Sequence, residues 1–499
     1  MDYGGRKRVA IACQGGGSHT AFTAGALKRL LQDDRYEFVA LSGTSGGAIC
    51  ALLAWYALIE HGKDENGASK AASEATRSLE KFWLEDNVAK DPPERLLNDW
   101  LVGWLRWQQA TGLLVEGSPN AFSDYWQDRL RRALNENVPF GEINEGLVEP
   151  SSPRLFVGAV NVLTGEFGVF GSHKREDGAY DPDGRPSWVF NGDRESGISV
   201  DAVLASAAIP PIFRAVRIGG SVYWDGLFSQ NPPVRELLDA QPDEIWVIQI
   251  NPNSLAPRPR HPVPGDEPTS VLDIIDRRNA LAGNLSLNQE LRHLEEINVL
   301  VEELGEGEGL GEKRLRLKKK GREYKPVVVR QIEMSLPLGA ASKLDRSPSF
   351  IRKMMGYGER RAEEFFAALS FEEAWASRDP EAVLGFFAED AEIRLGAPFR
   401  DRAFYRGERE VRGFVREYLA NNDVRVDPTK KEVVGEAVIW TVRISPHLSE
   451  DEQDVEPAEG TVEAVFEGAK IRSLTFAPSE RRTTLSVTDG APPGGDEPA

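Results

Sequence analysis

The stretch FVALSGTSGGAICALLAWYALI, residues 38–59, decides the fold. Phe38-Val39-Ala40-Leu41 is a short apolar run of the kind found in a buried strand of a parallel sheet. From Ala48 to Ile59 almost every position is apolar, so the helix there is buried on nearly all sides. Between the two, Gly43-Thr44-Ser45-Gly46-Gly47 fits G-x-S-x-G. In that pattern a strand stops, a serine takes a strained backbone conformation and a helix begins at once. Gly43, Gly46 and Gly47 are needed because a Cβ at those positions would strike the neighbouring strand and helix. In a chain with 47 glycines among 499 residues the pattern alone is weak. The apolar strand before it and the apolar helix after it make Ser45 a nucleophile rather than a bystander in a glycine-rich turn.

Upstream the alternation begins earlier. Arg8 to Cys13 is a short apolar strand, and after Gly15-Gly16-Gly17 the residues Phe22, Leu27, Leu30 and Leu31 recur at helical spacing. Strand–helix alternation predicts an α/β layered fold. Consecutive glycine N–H groups at the start of a helix hold an anion, either a bound phosphate or the oxyanion of a reacting ester. Neither G-x-G-x-x-G nor a Walker lysine is present, because position 20 is threonine. With a nucleophile elbow following, the oxyanion hole (Gly15, Gly16, Gly17) is the better reading, and a phosphate switch is the weaker one.

A serine nucleophile needs a base. The chain has six histidines, His19, His61, His173, His261, His293 and His447, none in an obvious triad pattern. Asp225-Gly226, following Val222-Tyr223-Trp224, offers a carboxylate at a strand end that could take the serine proton directly. An aspartate with an ordinary pKa near 3.9 is a poor base in water, so such a site must be partly dry. The bland alternative for Asp225 is a turn-forming residue.

Length and charge bound the rest. At about 150 residues per domain, 499 residues imply roughly three units. A net charge of −19 argues against nucleic-acid binding and against a polybasic membrane anchor. Two cysteines exclude a disulfide scaffold and fit a reducing compartment; Cys13 and Cys50 sit in apolar surroundings and read as inert buried thiols. No apolar run approaches 18 residues. Arg6-Lys7-Arg8 and the five apolar residues after it are too short for a secretory signal. A cytoplasmic location is expected, with no cofactor and no metal.

Further along, residues 73–135 read as helical and aromatic. Strands are predicted at Arg154–Asn161, Phe167–Phe170, Ile212–Ile218, Glu244–Ile250 and Val327–Leu336, and helices over Ser270–Leu304 and Pro348–Leu369. A Pro-rich loop carries Pro257, Pro259, Pro262 and Pro264, and 305–324 reads as an exposed loop whose basic residues are solvated. Residues 371–477 change texture. A helix with Phe371 and Trp375 precedes short helices through Val383–Phe387 and Val411–Tyr418. Alternating strands follow, with Val438, Trp440, Val442 and Ile444 on one face and Val462, Ala464 and Phe466 on another. This is helices followed by an antiparallel sheet, an α+β domain. Residues 491–499 read as disordered.

Four motifs in order, Gln14-Gly-Gly-Gly-Ser-His, Gly43-Thr-Ser-Gly-Gly, Ala205-Ser-Ala-Ala-Ile-Pro-Pro-Ile-Phe and Asp225-Gly-Leu-Phe-Ser-Gln-Asn-Pro-Pro, resemble the patatin-like phospholipase family over roughly residues 8–235. The resemblance implies a three-layer α/β fold with a mainly parallel central sheet, and a Ser–Asp dyad that hydrolyses lipid esters. It makes Ser45 the nucleophile, Asp225 the base with Gly226 in its motif, and the glycine loop the oxyanion hole. The 205–213 block packs near the site without being catalytic. Two positions depart from the family pattern: the glycine loop has His19-Thr20 where a basic residue and glycine are usual, and Leu227 replaces a small residue. Residues 236–370 resemble the C-terminal extension of bacterial patatin-like proteins. Residues 371–480 resemble the cone-shaped NTF2-like (SnoaL-like) α+β fold, which uses its pocket for small ligands or its sheet for dimers; residues 481–499 form the tail. Trp100, Trp104 and Trp107, with Leu101, Leu105, Leu113 and Leu114, are expected to form a lid or acyl-chain wall, since spacings of four and three share one helical face. The expected function is a serine lipid acyl hydrolase acting on fatty acyl esters, with transient membrane contact and a homodimer through the C-terminal domain. The alternative is an inactive patatin-fold lipid-binding protein.

Overall fold

The computed structural model describes residues 6–62, 67–113, 123–143, 147–173, 198–210, 212–251, 268, 270–305, 314–317, 322–336, 338–395, 404–420, 424–434, 437–446 and 458–478. The Pro-rich loop, the C-terminal tail, Leu114, His261 and His447 lie outside them. The chain separates into two units, the first built on residues up to Ser377 and the second on residues from Arg378, with 431–438 and 466–470 grouped with the first.

In the first unit, β1 (Lys7–Cys13), α1 (Ala21–Leu30), β2 (Tyr36–Thr44) and α2 (Gly46–His61) follow the predicted alternation. Then come α3 (Gly67–Lys81), α4 (Pro92–Thr111), α5 (Ser123–Asn137), β3 (Arg154–Asn161), β4 (Phe167–Gly171), α6 (Val200–Ser206), β5 (Val216–Ile218), β6 (Ser221–Asp225), β7 (Glu244–Gln249) and α7 (Val271–Leu304). A small hairpin of β8 (Leu315–Leu317) and β9 (Arg322–Tyr324), where an open loop is predicted, precedes β10 (Val328–Glu333) and α8 (Pro348–Ser377). The sheet order is β10-β7-β1-β2-β3-β6-β5, with β4 also paired to β3. Strands β10, β7, β1, β2 and β3 are parallel, and β6 and β5 close the edge antiparallel. Ile212 and Phe213 fall outside β5, because a turn from Ile209 to Phe213 precedes it.

The parallel strands aim their C-terminal ends at one edge of the sheet, where ligands of such sheets bind. The glycine loop leaves β1 there, Ser45 leaves β2, and Asn251 follows β7. Register then sets the site. Thr44 of β2 pairs with Gly158 of β3, and the next β3 residue, Ala159, pairs with Asp225 of β6. Ser45 and Asp225 therefore stand level with each other on either side of a single strand.

Behind the sheet, α1 packs closely on α8. A Cβ on Gly25 would lie 1.9 Å from the Met355 carbonyl oxygen, and one on Gly358 would lie 1.9 Å from the Phe22 carbonyl oxygen. Trp246 of β7 is fully buried, with its ring 4.8 Å from Tyr36 and 5.0 Å from Phe365. The single α8 runs through Ser370 to Ser377 where two helices are expected, since no glycine or proline lies between Leu369 and Phe371.

Beyond Arg378 the chain forms α9 (Pro380–Leu384), β11 (Phe387–Leu395), β12 (Phe404–Arg406), α10 (Glu408–Ala420), β13 (Val424–Val434), β14 (Ala437–Pro446), β15 (Ala458–Glu467) and β16 (Lys470–Pro478). The strand order is β12-β11-β16-β15-β14-β13. The predicted helix through Phe387 stops at Leu384; Gly385 ends it and Phe387 opens a strand instead. Val438, Trp440, Val462, Ala464 and Phe466 are buried as the alternation predicts. No helix among the described residues is long and apolar enough to cross a membrane.

Gly358→Ala is expected to destabilise the first unit by about 1–3 kcal/mol, because the two helix backbones must separate. Denaturant midpoints measure this, and an unchanged midpoint would contradict the close approach.

Candidate active site

Ser45 sits between the end of β2 and the start of α2 with φ 56° and ψ −131°. Among the described residues only Gln241 and Arg378 share a positive φ without being glycine. Such a conformation costs on the order of 1–3 kcal/mol and persists only when its surroundings enforce it. The glycines do so by allowing contact. A Cβ on Gly43 would lie 2.4 Å from the Gly47 oxygen, and one on Gly47 would lie 2.2 Å from the Cys13 oxygen. Ser206, at the end of α6, pins the elbow from the other side. Its Oγ accepts the Ser45 N–H at 2.9 Å and donates to the Gly158 oxygen at 2.6 Å.

Ser45 and Asp225 line the same cavity, and the serine hydroxyl lies near enough to the carboxyl to lower its pKa. The aspartate is 1% exposed, its N–H donates to the Ala208 oxygen, and its Oδ1 accepts the Leu227 N–H at 2.8 Å. Asp225 thus makes the turn that its sequence allows and also faces the serine. Burial raises its pKa to about 7, against the lowering effect of the Leu227 N–H and the Ser45 hydroxyl. Desolvation outweighs both lowering effects and moves this carboxyl from the acid range toward neutrality. Leu227 bonds Asp225 through its backbone, which any residue could supply, while its side chain lines the cavity.

The glycine loop is clamped. Gln14 accepts the N–H groups of Ile250 and Asn251 through Oε1, both at 2.8 Å, and donates to Asn284 through Nε2 at 2.8 Å. Asn231, from the loop after Asp225, accepts the Gly15 N–H at 2.7 Å. That bond removes Gly15 from the predicted set of three donors. Among the described residues, the N–H groups of Gly16 and Gly17 donate to no protein acceptor. Gly17 has φ 60°, and the Lys343 oxygen would lie 2.4 Å from a Cβ there. Thr20, which replaces the usual glycine, donates its hydroxyl to the Gly17 oxygen and so fixes the tilt of that peptide.

Among the described residues no histidine lines the cavity with Ser45. His19 is buried, bonded to the Ser342 hydroxyl at 2.8 Å, and burial beside Lys343 lowers its pKa to about 3, so it stays neutral. His61 lies beside Glu60, His173 beside Ser172 and Glu149, and His293 beside Glu296. None of these four lines the cavity. Cys13 and Cys50 are buried, and burial raises both thiols, that of Cys50 to about 12. The described residues contain no group of three side chains suited to a metal ion.

Ser45, Asp225 and Gly15–Gly17 open onto one cavity of about 460 Å³, within the usual range for small-molecule sites. Its walls are mostly apolar, including Ile49, Phe82, Leu101, Ile209, Phe213 and Leu272. Helix α4 supplies Leu97, Leu101 and Leu105. The expected tryptophan wall needs correction: Trp100, Trp104 and Trp107 do not line the cavity. They lie about a quarter turn round the helix from the leucines. There they stack on one another at 6.1 and 5.1 Å, with Trp100 60% and Trp107 44% exposed. Leu113 is exposed too. Residues 340–346, which carry no motif, supply a further wall through Ala341, Lys343, Leu344 and Arg346.

An elbow serine, a buried carboxyl and two unpaired amides thus meet at the C-terminal edge of a parallel sheet. Residues 11–238 match the family model described as patatin-like phospholipase. The comparison with curated proteins found no match. Among solved structures the chain is similar to an NTF2-like protein of unknown function from Mesorhizobium loti, at 16% identity over 23% of this chain and 90% of that one, with a TM-score of 0.20. It is also similar to a putative polyketide cyclase from Sinorhizobium meliloti, at 15% identity over 22% and 92%, with a TM-score of 0.19. A third is a protein with a ketosteroid isomerase-like fold from Catenulispora acidiphila, at 20% identity over 23% and 85%, with a TM-score of 0.20.

The buried carboxyl yields a stability prediction. An unfolded aspartate ionises near 4 and the folded Asp225 near 7. Between these values the folded chain holds a proton that the unfolded chain has lost. Stability therefore falls as pH rises through that window, by up to about 4 kcal/mol. Asp225→Asn removes this cost. Thermal melts should place the variant above the parent at pH 8, with the gap shrinking toward pH 5; a gap that does not narrow would contradict the burial argument.

Proposed function

We propose that the protein is a serine lipid acyl hydrolase that cleaves fatty acyl esters through a covalent acyl–Ser45 intermediate. The observation that carries the reading is a strained elbow serine and a buried aspartate that line one cavity, level with each other across a single strand. The Asp225 carboxylate takes the Ser45 hydroxyl proton as Oγ attacks the ester carbonyl carbon. The carbonyl π-electrons move to oxygen, and that oxyanion is received by the N–H groups of Gly16 and Gly17. Collapse of the tetrahedral intermediate breaks the bond to the alcohol, which leaves with the proton held by Asp225. Water then attacks the acyl–serine ester, Asp225 accepts a proton from it, and Ser45 recovers that proton as the fatty acid departs.

The surroundings favour this chemistry over others. The apolar walls suit an acyl chain, and they exclude the water that would restore an ordinary, weakly basic aspartate. The two unspent amides stand beside the nucleophile on a loop that Gln14, Asn231 and Thr20 hold still. Losing one oxyanion donor typically costs about 3–4 kcal/mol of transition-state stabilisation, so this rigidity has direct catalytic value.

Ser45→Ala should lower kcat/KM on p-nitrophenyl butyrate by at least ~10⁴-fold without loss of fold. The wild-type profile of kcat/KM should rise with pH through about 7, because the reactive form of Asp225 is the carboxylate. Undiminished turnover by Ser45→Ala, or a profile falling across that range, would contradict the reading.

A further inference from the structure

Three cationic side chains line the cavity: Arg129, Lys343 and Arg346. Two of them are neutralised. Arg129 pairs with Glu94 and caps the carbonyls of Asp86 and Val88, at 2.9 and 3.3 Å. Lys343 pairs with Asp276 at 2.6 Å. Arg346 has no ion pair among the described residues. Its guanidinium donates to the Asn87 carbonyl at 3.2 Å and lies over the Trp126 ring, 4.3 Å from the centroid. The acids of this wall are committed elsewhere. Asp86 bonds Asn137 and Lys81, and Asp345 bonds Asn98 and Arg106. Burial, and then the neighbouring Arg129, lower the Arg346 pKa to about 10 against the raising effects of Glu94, which is paired with Arg129, and of Tyr125.

A largely buried guanidinium without a counter-ion is costly in the empty cavity, and an anion relieves that cost. The backbone around Arg346 is fixed. Its N–H bonds the Asn98 side chain at 2.9 Å, and its carbonyl accepts the Ala89 N–H at 2.9 Å. Stacking on Trp126 holds the guanidinium plane, leaving N–H groups of its fork for a planar or tetrahedral oxyanion. Arg346 follows Lys343 by three residues, and the Lys343 carbonyl packs on Gly17 beside the nucleophile. Three residues of chain span at most about 11 Å. The ester group that Ser45 attacks is neutral, so the anion must be elsewhere on the same substrate. Among the anionic groups that acyl lipids carry, the phosphate stands nearest the ester-bearing backbone, and its oxygens match a guanidinium fork.

We propose that Arg346 is a specificity-determining residue that binds the phosphate of the lipid whose acyl ester meets Ser45, so that phosphate-bearing lipids are favoured over neutral glycerides with the same chains. This deepens the hydrolase reading and rests on it. In a chain of net charge −19, long-range attraction for an anion is absent, and recognition of phosphate depends on this local cation.

The test measures binding to the Ser45→Ala full-length protein, where turnover cannot interfere. Dioctanoyl phosphatidic acid, dioctanoylglycerol and inorganic phosphate are each titrated by calorimetry. Phosphatidic acid should bind about 10- to 100-fold more tightly than dioctanoylglycerol, the usual worth of charge-assisted hydrogen bonds. Arg346→Met in the same background should erase that difference, and Arg346→Lys should keep part of it. Equal binding of the two lipids, or a preference that survives Arg346→Met, would overturn the proposal. Inorganic phosphate binding as tightly as the lipid would also overturn it, since the site would then serve free phosphate. Failure of the hydrolase reading is distinguishable: wild-type protein would turn over no ester while the phosphate preference remained.

Discussion

One residue held in a conformation it would not choose organises the first unit. Ser45 at φ 56° is tolerated because α2 starts at the next residue and is buried on almost every side, so the chain cannot relax without lifting that helix from the core. The strain is small beside the burial that opposes its release. The neighbouring glycines serve the same end. They let β1, β2 and the start of α2 approach closely enough for the hydroxyl to stand clear of its own strand. The parallel order of β7, β1, β2 and β3 then brings the loops that surround it to one edge.

The second requirement is a dry carboxylate. Asp225 ends an antiparallel strand laid against β3, and that reversal brings its side chain level with Ser45. Burial raises the pKa of this carboxyl, as the proposed proton transfer requires, and also makes the folded chain less stable than it could be. The surrounding polar clamps (Gln14 on Ile250 and Asn251 just past β7, Asn231 on Gly15, Ser206 on Ser45) hold these groups without adding charge. His19 belongs to that frame, bonded to Ser342 and kept neutral by burial.

The elbow was legible because G-x-S-x-G lies between two apolar segments, and strand, turn and helix each leave a local mark. The base was open between six histidines and Asp225 on sequence alone, since desolvation depends on the fold and not on neighbours in the chain. Gly15 shows the same limit: its glycine pattern is visible, but the bond from its N–H to Asn231 crosses 216 residues. The tryptophans of α4 illustrate another. Spacing places them together but does not say which face of the helix meets the cavity, and the leucines a quarter turn away occupy it. Residues 340–346 carry no periodicity or motif, so Lys343 and Arg346 entered the site only through tertiary packing. The helix from Pro348 to Ser377 joins two segments whose compositions differ, which conceals its continuity.

The proposed catalysis requires above all that Asp225 activate Ser45. A fluorophosphonate probe followed by peptide mass spectrometry reads this directly. One covalent adduct on the peptide containing Ser45, forming faster as pH rises through about 7 and lost in Asp225→Asn, is the predicted result. An adduct on a different serine, or labelling of Ser45 at the same rate without the Asp225 carboxylate, would contradict it.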